Sequence, residues 1–153
     1  MSKVITLTAN GGSESLDCFT VTGCVEILKL YGQITTADTL TNLTGAYFNM
    51  WDGTLATAIT KNDGVLSGMA IGTTFLKNAA ASVTMGIADN ATGAIVEPAS
   101  DKKAFAPFAA IKKTGATTTI RFTYTTTDAP IAATMTIYCE YREIGSGSSL
   151  VAV

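Results

Sequence analysis

Thr117-Thr118-Thr119-Ile120-Arg121-Phe122-Thr123-Tyr124-Thr125-Thr126-Thr127 places Ile120, Phe122 and Tyr124 on one side of an extended chain and Thr119, Arg121, Thr123 and Thr125 on the other. A period of two marks a half-buried strand, because successive side chains of a strand point to opposite faces. Met135, Ile137, Cys139 and Tyr141 alternate in the same way with Thr136, Tyr138, Glu140 and Arg142. Between the two runs lies Asp128-Ala129-Pro130, and proline belongs in a connection because it lacks the donor that a ladder needs. The pair is therefore expected to form a hairpin.

Upstream the same texture continues. Asp52-Gly53, between Ala46 to Trp51 and Leu55 to Thr60, is a hairpin turn signal, since glycine tolerates the positive φ of a tight turn. Asn62-Asp63-Gly64 marks a further turn, and Gly68 and Gly72 punctuate the segment after it. Val4 to Thr8, Phe19 to Thr22, Cys24 to Ile34, Ser82 to Ala88 and Ala104 to Lys113 supply further extended runs, the last leading through Thr114-Gly115 into the final pair. Threonine takes about one position in six, and with valine and isoleucine it favours a pleated, half-buried surface. Helix is limited to a turn or two over Leu76 to Ser82. The reading is an all-β, single-domain β-sandwich or jelly-roll-like fold of about eight to ten short antiparallel strands. The sandwich is expected over 1–144. Residues 145–153 read as a flexible linker, Gly145-Ser146-Gly147-Ser148-Ser149, carrying an apolar tail, Leu150-Val151-Ala152-Val153, whose removal should leave the fold intact.

The chain has no histidine, three cysteines, 14% charged residues and a formal net charge of -2. Histidine is the usual proton shuttle near neutrality and the commonest metal ligand. Neither a Walker-type G-x-x-x-x-G-K-[ST] nor a G-x-G-x-x-G phosphate loop occurs, and a cysteine nucleophile would lack its customary base. Asp52 and Asp63 sit in turns without the alternating ligands of a calcium loop. A non-enzymatic protein without cofactor or metal is expected. Basic residues pair only at Lys102-Lys103 and Lys112-Lys113, and the arginines are Arg121 and Arg142, too scattered for nucleic-acid binding. The longest apolar run, Ala104 to Ile111, is short and contains Pro107, and the alternating N-terminus is unlike a signal peptide, so no membrane role is expected. Cys18, Cys24 and Cys139 read as buried thiols of a protein made in a reducing cytoplasm, with a Cys18–Cys24 disulfide as the alternative.

One segment is apolar on both faces. Tyr47, Asn49 and Trp51 share one side of a strand, and Phe48 and Met50 share the other. Such a strand lies between layers or at a subunit contact. Tyr47, Phe48 and Trp51, together with Leu150, Val151 and Val153 of the tail, are therefore the candidate protein-interface residues. A sugar platform built on Trp51 with Tyr47 and Phe48, with Asn49 and Asp52 as polar partners, is the rival.

Thr117 to Thr125, Ile137-Tyr138-Cys139-Glu140-Tyr141-Arg142 with its small-residue tail, Tyr31-Gly32-Gln33-Ile34-Thr35 and the Asp52-Gly53-Thr54 turn resemble segments of capsid decoration, or cement, proteins of tailed bacteriophages. The resemblance implies a homotrimer that is made in the host cytoplasm, sits on the exterior of the virion and stabilises the lattice of the major capsid protein without catalysis. Glu143 stands where that family usually has a proline after the Tyr-Arg pair. The competing expectations are a carbohydrate-binding sandwich of a phage fibre or adhesin, and a tail or connector component.

Overall fold

A computed structural model describes residues 1–8, 11–37, 43–62, 64–65, 68–77, 85–88, 107–127 and 133–153. Among the described residues, alternation in the sequence becomes eleven strands: β1 (Ser2–Leu7), β2 (Ser13–Thr22), β3 (Cys24–Ala37), β4 (Leu43–Trp51), β5 (Ala56–Ala58), β6 (Thr74–Leu76), β7 (Gly86–Ala88), β8 (Phe108–Ile111), β9 (Thr118–Thr126), β10 (Ala133–Glu143) and β11 (Ser149–Ala152). Two antiparallel sheets result, and the described residues contain no helix. The first sheet runs β1-β10-β3-β6-β7, with β8 also on β3; the second runs β11-β2-β9-β4-β5. The expected all-β sandwich is the fold. Asp63 of the Asn62-Asp63-Gly64 turn, residues 78–82 of the helical turn expected over Leu76 to Ser82, and Asp128-Ala129-Pro130 lie outside the described residues.

Three local expectations are corrected. β9 and β10 are not a hairpin: β9 pairs with β2 and β4 in the second sheet, and β10 pairs with β1 and β3 in the first. Likewise β8 pairs with β3 instead of leading into a hairpin with β9. Alternation tells only that each strand has one apolar face. Two strands facing each other across a core alternate as two strands side by side do, so periodicity alone does not choose the partner.

The third correction concerns 145–153, which is neither a flexible linker nor a free tail. Ser148 N–H donates to Gly145 O at 3.1 Å, closing a turn in which Gly147 takes φ 75°. β11 then pairs with β2, Leu150 opposite Val21, and the Leu150 side chain is buried in the core. Glycine and serine suit a tight turn as well as a linker, and four residues with one buried anchor, Leu150, suffice for an edge strand.

The chain crosses from one sheet to the other in a single residue. Gly23, between β2 and β3, takes φ 65°, a conformation that glycine adopts without the steric penalty of a side chain. Cys24 N–H donates to Ser148 Oγ at 3.0 Å, and a Cβ at Gly23 would collide with that hydroxyl. The corner and the C-terminal turn therefore hold each other.

At the centre, four aromatic rings join the sheets. Phe122 lies 5.4 Å from Phe48 and 5.4 Å from Phe75, centroid to centroid, and 6.0 Å from Tyr124. Phe48, Phe122 and Tyr124 belong to the second sheet and Phe75 to the first, and all four are fully buried. Rings at such offsets add about 0.5–1.5 kcal/mol per pair to the apolar burial itself. Room for Phe75 is made opposite it at Gly32 of β3. A Cβ there would enter the Phe75 ring and come within 2.8 Å of Ile137 Cδ1.

Gly32→Ala is therefore expected to destabilise by about 2 kcal/mol through overpacking, although alanine is ordinarily the better residue in an element interior. Urea unfolding measures this, and Phe75→Leu in the same chain should recover part of the loss. Leu150→Ala should cost about 3 kcal/mol, and deleting 149–153 should cost more, because that also bares the β2 edge. Thermal unfolding reads both; an unchanged midpoint would return the segment to the status of a tail.

Candidate interaction surfaces

The outer face of the second sheet is built by register. Asp17 of β2, Arg121 of β9 and Asn49 of β4 stand in one row across three strands, and Thr119 stands opposite Trp51 in the next. Arg121 forms an ion pair through Nε with Asp17 Oδ1, its Nη2 lies 3.4 Å from Oδ2, and Thr119 Oγ1 donates to Oδ1 at 2.7 Å. The guanidinium centre lies 4.7 Å from the Trp51 ring centroid, so one cation is held by a carboxylate and an indole together. Asn49 Nδ2 donates to Thr123 Oγ1 at 2.7 Å, and Thr123 and Ser15 share a 2.7 Å hydroxyl contact. Partial burial pushes the Asp17 carboxyl up, but the Arg121 and Thr119 hydrogen bonds and the Arg121 charge outweigh it and hold the group below its ordinary value.

The outer face of the first sheet carries a second cluster. Tyr31 and Tyr138, paired across β3 and β10, stack with centroids 4.8 Å apart and planes 12° from parallel. Lys29 and Glu140 pair at 2.7 Å beside them, and Arg142 pairs with Glu26. Met1, Lys29, Tyr31, Tyr138, Cys139 and Glu140 line a shallow hollow of about 190 Å³. The Lys29 and Glu140 side chains are each about half exposed, so their pair orients side chains more than it stabilises the fold.

The six residues singled out in the sequence separate into three environments. Phe48 and Leu150 are core residues, 0% and 2% exposed, and in this fold neither presents surface to a partner. Tyr47 and Trp51 lie half-buried on the outer face of the second sheet. Val151 and Val153 are exposed at that sheet's edge, at 56% and 51%. Lys3 of β1, the edge strand of the first sheet, donates through Nζ to Val153 O, so the two sheet edges lie side by side. Asp52 acts as a turn residue: its Oδ1 accepts from Thr54 N and Leu55 N at 2.8 Å, and Lys113 Nζ lies 3.2 Å from Oδ2. The three thiols are free, and burial raises those of Cys18 and Cys139 to about 12. Both are therefore protonated and unreactive at neutral pH.

Sequence reading missed the Asp17–Arg121–Trp51 group, the Tyr31–Tyr138 stack and exposed Val4. Arg121 inside a threonine strand and Asp17 inside Leu16-Asp17-Cys18-Phe19 were the available signals: a charge among half-buried positions needs a partner. Among the described residues no group of three or more His, Cys, Asp or Glu side chains is arranged to hold a metal ion, and no helix is long and apolar enough to cross a membrane. Comparison with protein-family models, with curated proteins and with solved structures found no match.

The folded pKa of Asp17 lies below its unfolded value, so its ion pair contributes fully at neutral pH. That contribution declines as pH falls through the ordinary value of 3.8 and vanishes once the folded carboxyl is protonated as well. Trp51 is the single tryptophan, and its emission reports this group directly. Asp17→Asn should be less stable than the parent at neutral pH, with the difference shrinking as pH falls below the ordinary carboxylate value and lost once the folded carboxyl is protonated. Arg121→Ala should shift Trp51 emission and destabilise by about 1 kcal/mol. A pH-independent gap between parent and Asp17→Asn would refute the assignment.

Proposed function

We propose that the protein is a non-enzymatic virion structural protein, a capsid decoration or cement protein that binds the major capsid protein lattice from outside. The observation that supports this reading best is the pair of neighbouring sheet edges, β1 and β11, with Val4, Val151 and Val153 turned to solvent. Exposed valines on a firmly paired frame offer adhesive surface at little ordering cost, and many copies on a lattice turn modest contacts into stable attachment. The resemblance of the strand and turn segments to phage cement proteins supports the same reading.

The sugar-platform alternative is less well supported. One face of the Trp51 ring is taken by Arg121, and the Asn49 amide is committed to Thr123. A carbohydrate would have to displace contacts that the fold already makes.

Capsids assembled without the protein, mixed with the purified chain and sedimented, should take it up saturably and in fixed proportion to capsid subunits. Val151→Glu places a charge on an exposed edge position and spares the core. It should weaken uptake by about tenfold, about 1.4 kcal/mol, with the melting temperature unchanged. Absence of co-sedimentation by the parent protein would overturn the proposal, and a glycan-dependent change in Trp51 emission would favour the sugar reading.

A further inference from the structure

β1 presents an open hydrogen-bonding edge. In an antiparallel pair, residues alternate between those that exchange both N–H···O bonds with the partner strand and those that exchange none. Met1 is of the first kind: its amine donates to Cys139 O at 2.8 Å, and Cys139 N–H donates to Met1 O at 2.9 Å. The unbroken register with β10 puts Lys3, Ile5 and Leu7 in the same class, opposite Ile137, Met135 and Ala133. The backbone N–H and C=O groups of Ser2, Val4 and Thr6 therefore point away from β10, and among the described residues no strand lies on that side.

Natural edge strands are guarded by proline, bulges, short length or charge. β1 has six residues, no bulge against β10 and no proline. Its single charge, Lys3, is turned to the Val153 carbonyl. Val4, at the middle of the strand, is 60% exposed. An edge left this open is a template for another strand.

We propose that the occupant is a second copy of this chain, joined β1 to β1 in antiparallel fashion across a two-fold axis through Val4. That register sets Val4 against Val4 of the partner subunit, Ser2 against Thr6 of the partner subunit and Thr6 against Ser2 of the partner subunit. All three are outward-pointing positions, so each pair exchanges two N–H···O bonds. Lys3 then faces Ile5 of the partner subunit, and no like charges meet. An axis through Lys3 would set ammonium against ammonium, which opposes that alternative. The valine pair covers exposed β-branched surface, and the first sheets of the two copies become one. This pairing takes Val4 and the β1 edge out of the surface open to a capsid and leaves Val151 and Val153 there; its test needs no capsid, and the dimer differs from the trimer that the resemblance implies.

The full chain tests it by sedimentation equilibrium and by residue-resolved amide exchange. The expected mass is that of two copies, with the Val4 and Thr6 amides protected despite lacking an acceptor in their own chain. That protection should be lost on dilution. Val4→Pro removes only an outward donor, and Val4→Lys sets like charges face to face; each should weaken association by about a hundredfold or more while circular dichroism stays unchanged. If proline perturbs the strand, the lysine variant still decides. A monomer at about millimolar concentration, a trimer, freely exchanging Val4 and Thr6 amides, or a dimer indifferent to Val4→Lys would each overturn the proposal.

Discussion

The structure depends on Phe122 filling the space between the sheets. Its ring touches Phe48 and Tyr124 on its own side and Phe75 from the other, so one side chain registers both layers. Phe75 reaches that position because Gly32 has no side chain. A missing Cβ on one strand and an aromatic ring on its neighbour are thus a single packing decision. Around them Ile5, Leu7, Ile27, Leu30, Ile34, Met135 and Ile137 complete the first sheet's inner face. Close packing of this kind leaves little freedom for a core residue to change size.

The edges follow from that arrangement. With β9 and β10 on opposite sheets, β2 and β3 must also separate, and the chain does so at Gly23. The corner exposes backbone groups, and Ser148 satisfies one of them at Cys24. The last residues are thereby recruited as β11 on the free side of β2, next to β1. The segment that composition marks as a linker becomes part of the clasp, and its exposed valines become surface on an ordered strand. Their adhesive potential rests on order, since a fixed strand loses less conformational entropy on contact than a free tail does.

Much of the fold was legible in the residues. Ile120, Phe122 and Tyr124 all face inward as their spacing required, as do Met135, Ile137 and Cys139. Asp52-Gly53 turns β4 into β5 as its chemistry required. The candidate surface was legible only in part. Trp51 and Tyr47 stood out as aromatics, but their separation from Phe48 follows from which face the core occupies. The Asp17–Arg121 pair joins residues 104 positions apart, and no local pattern announces such a partner.

Sequence by itself determined the class of this protein: period-two alternation and threonine-rich β-branched content dictate strands, and glycine-bearing turns dictate where several of them end. It also determined which face of each central strand is apolar, because that is a property of the strand alone. Pairing was decided by tertiary structure. Which strand lies beside β9, whether the last residues hang free or close an edge, and whether an aromatic is core or surface all depend on contacts between residues far apart in the chain. Such contacts are chosen by how shapes fill the space between two sheets and by which buried polar groups find partners. Neither quantity can be read from the spacing of residues along one strand.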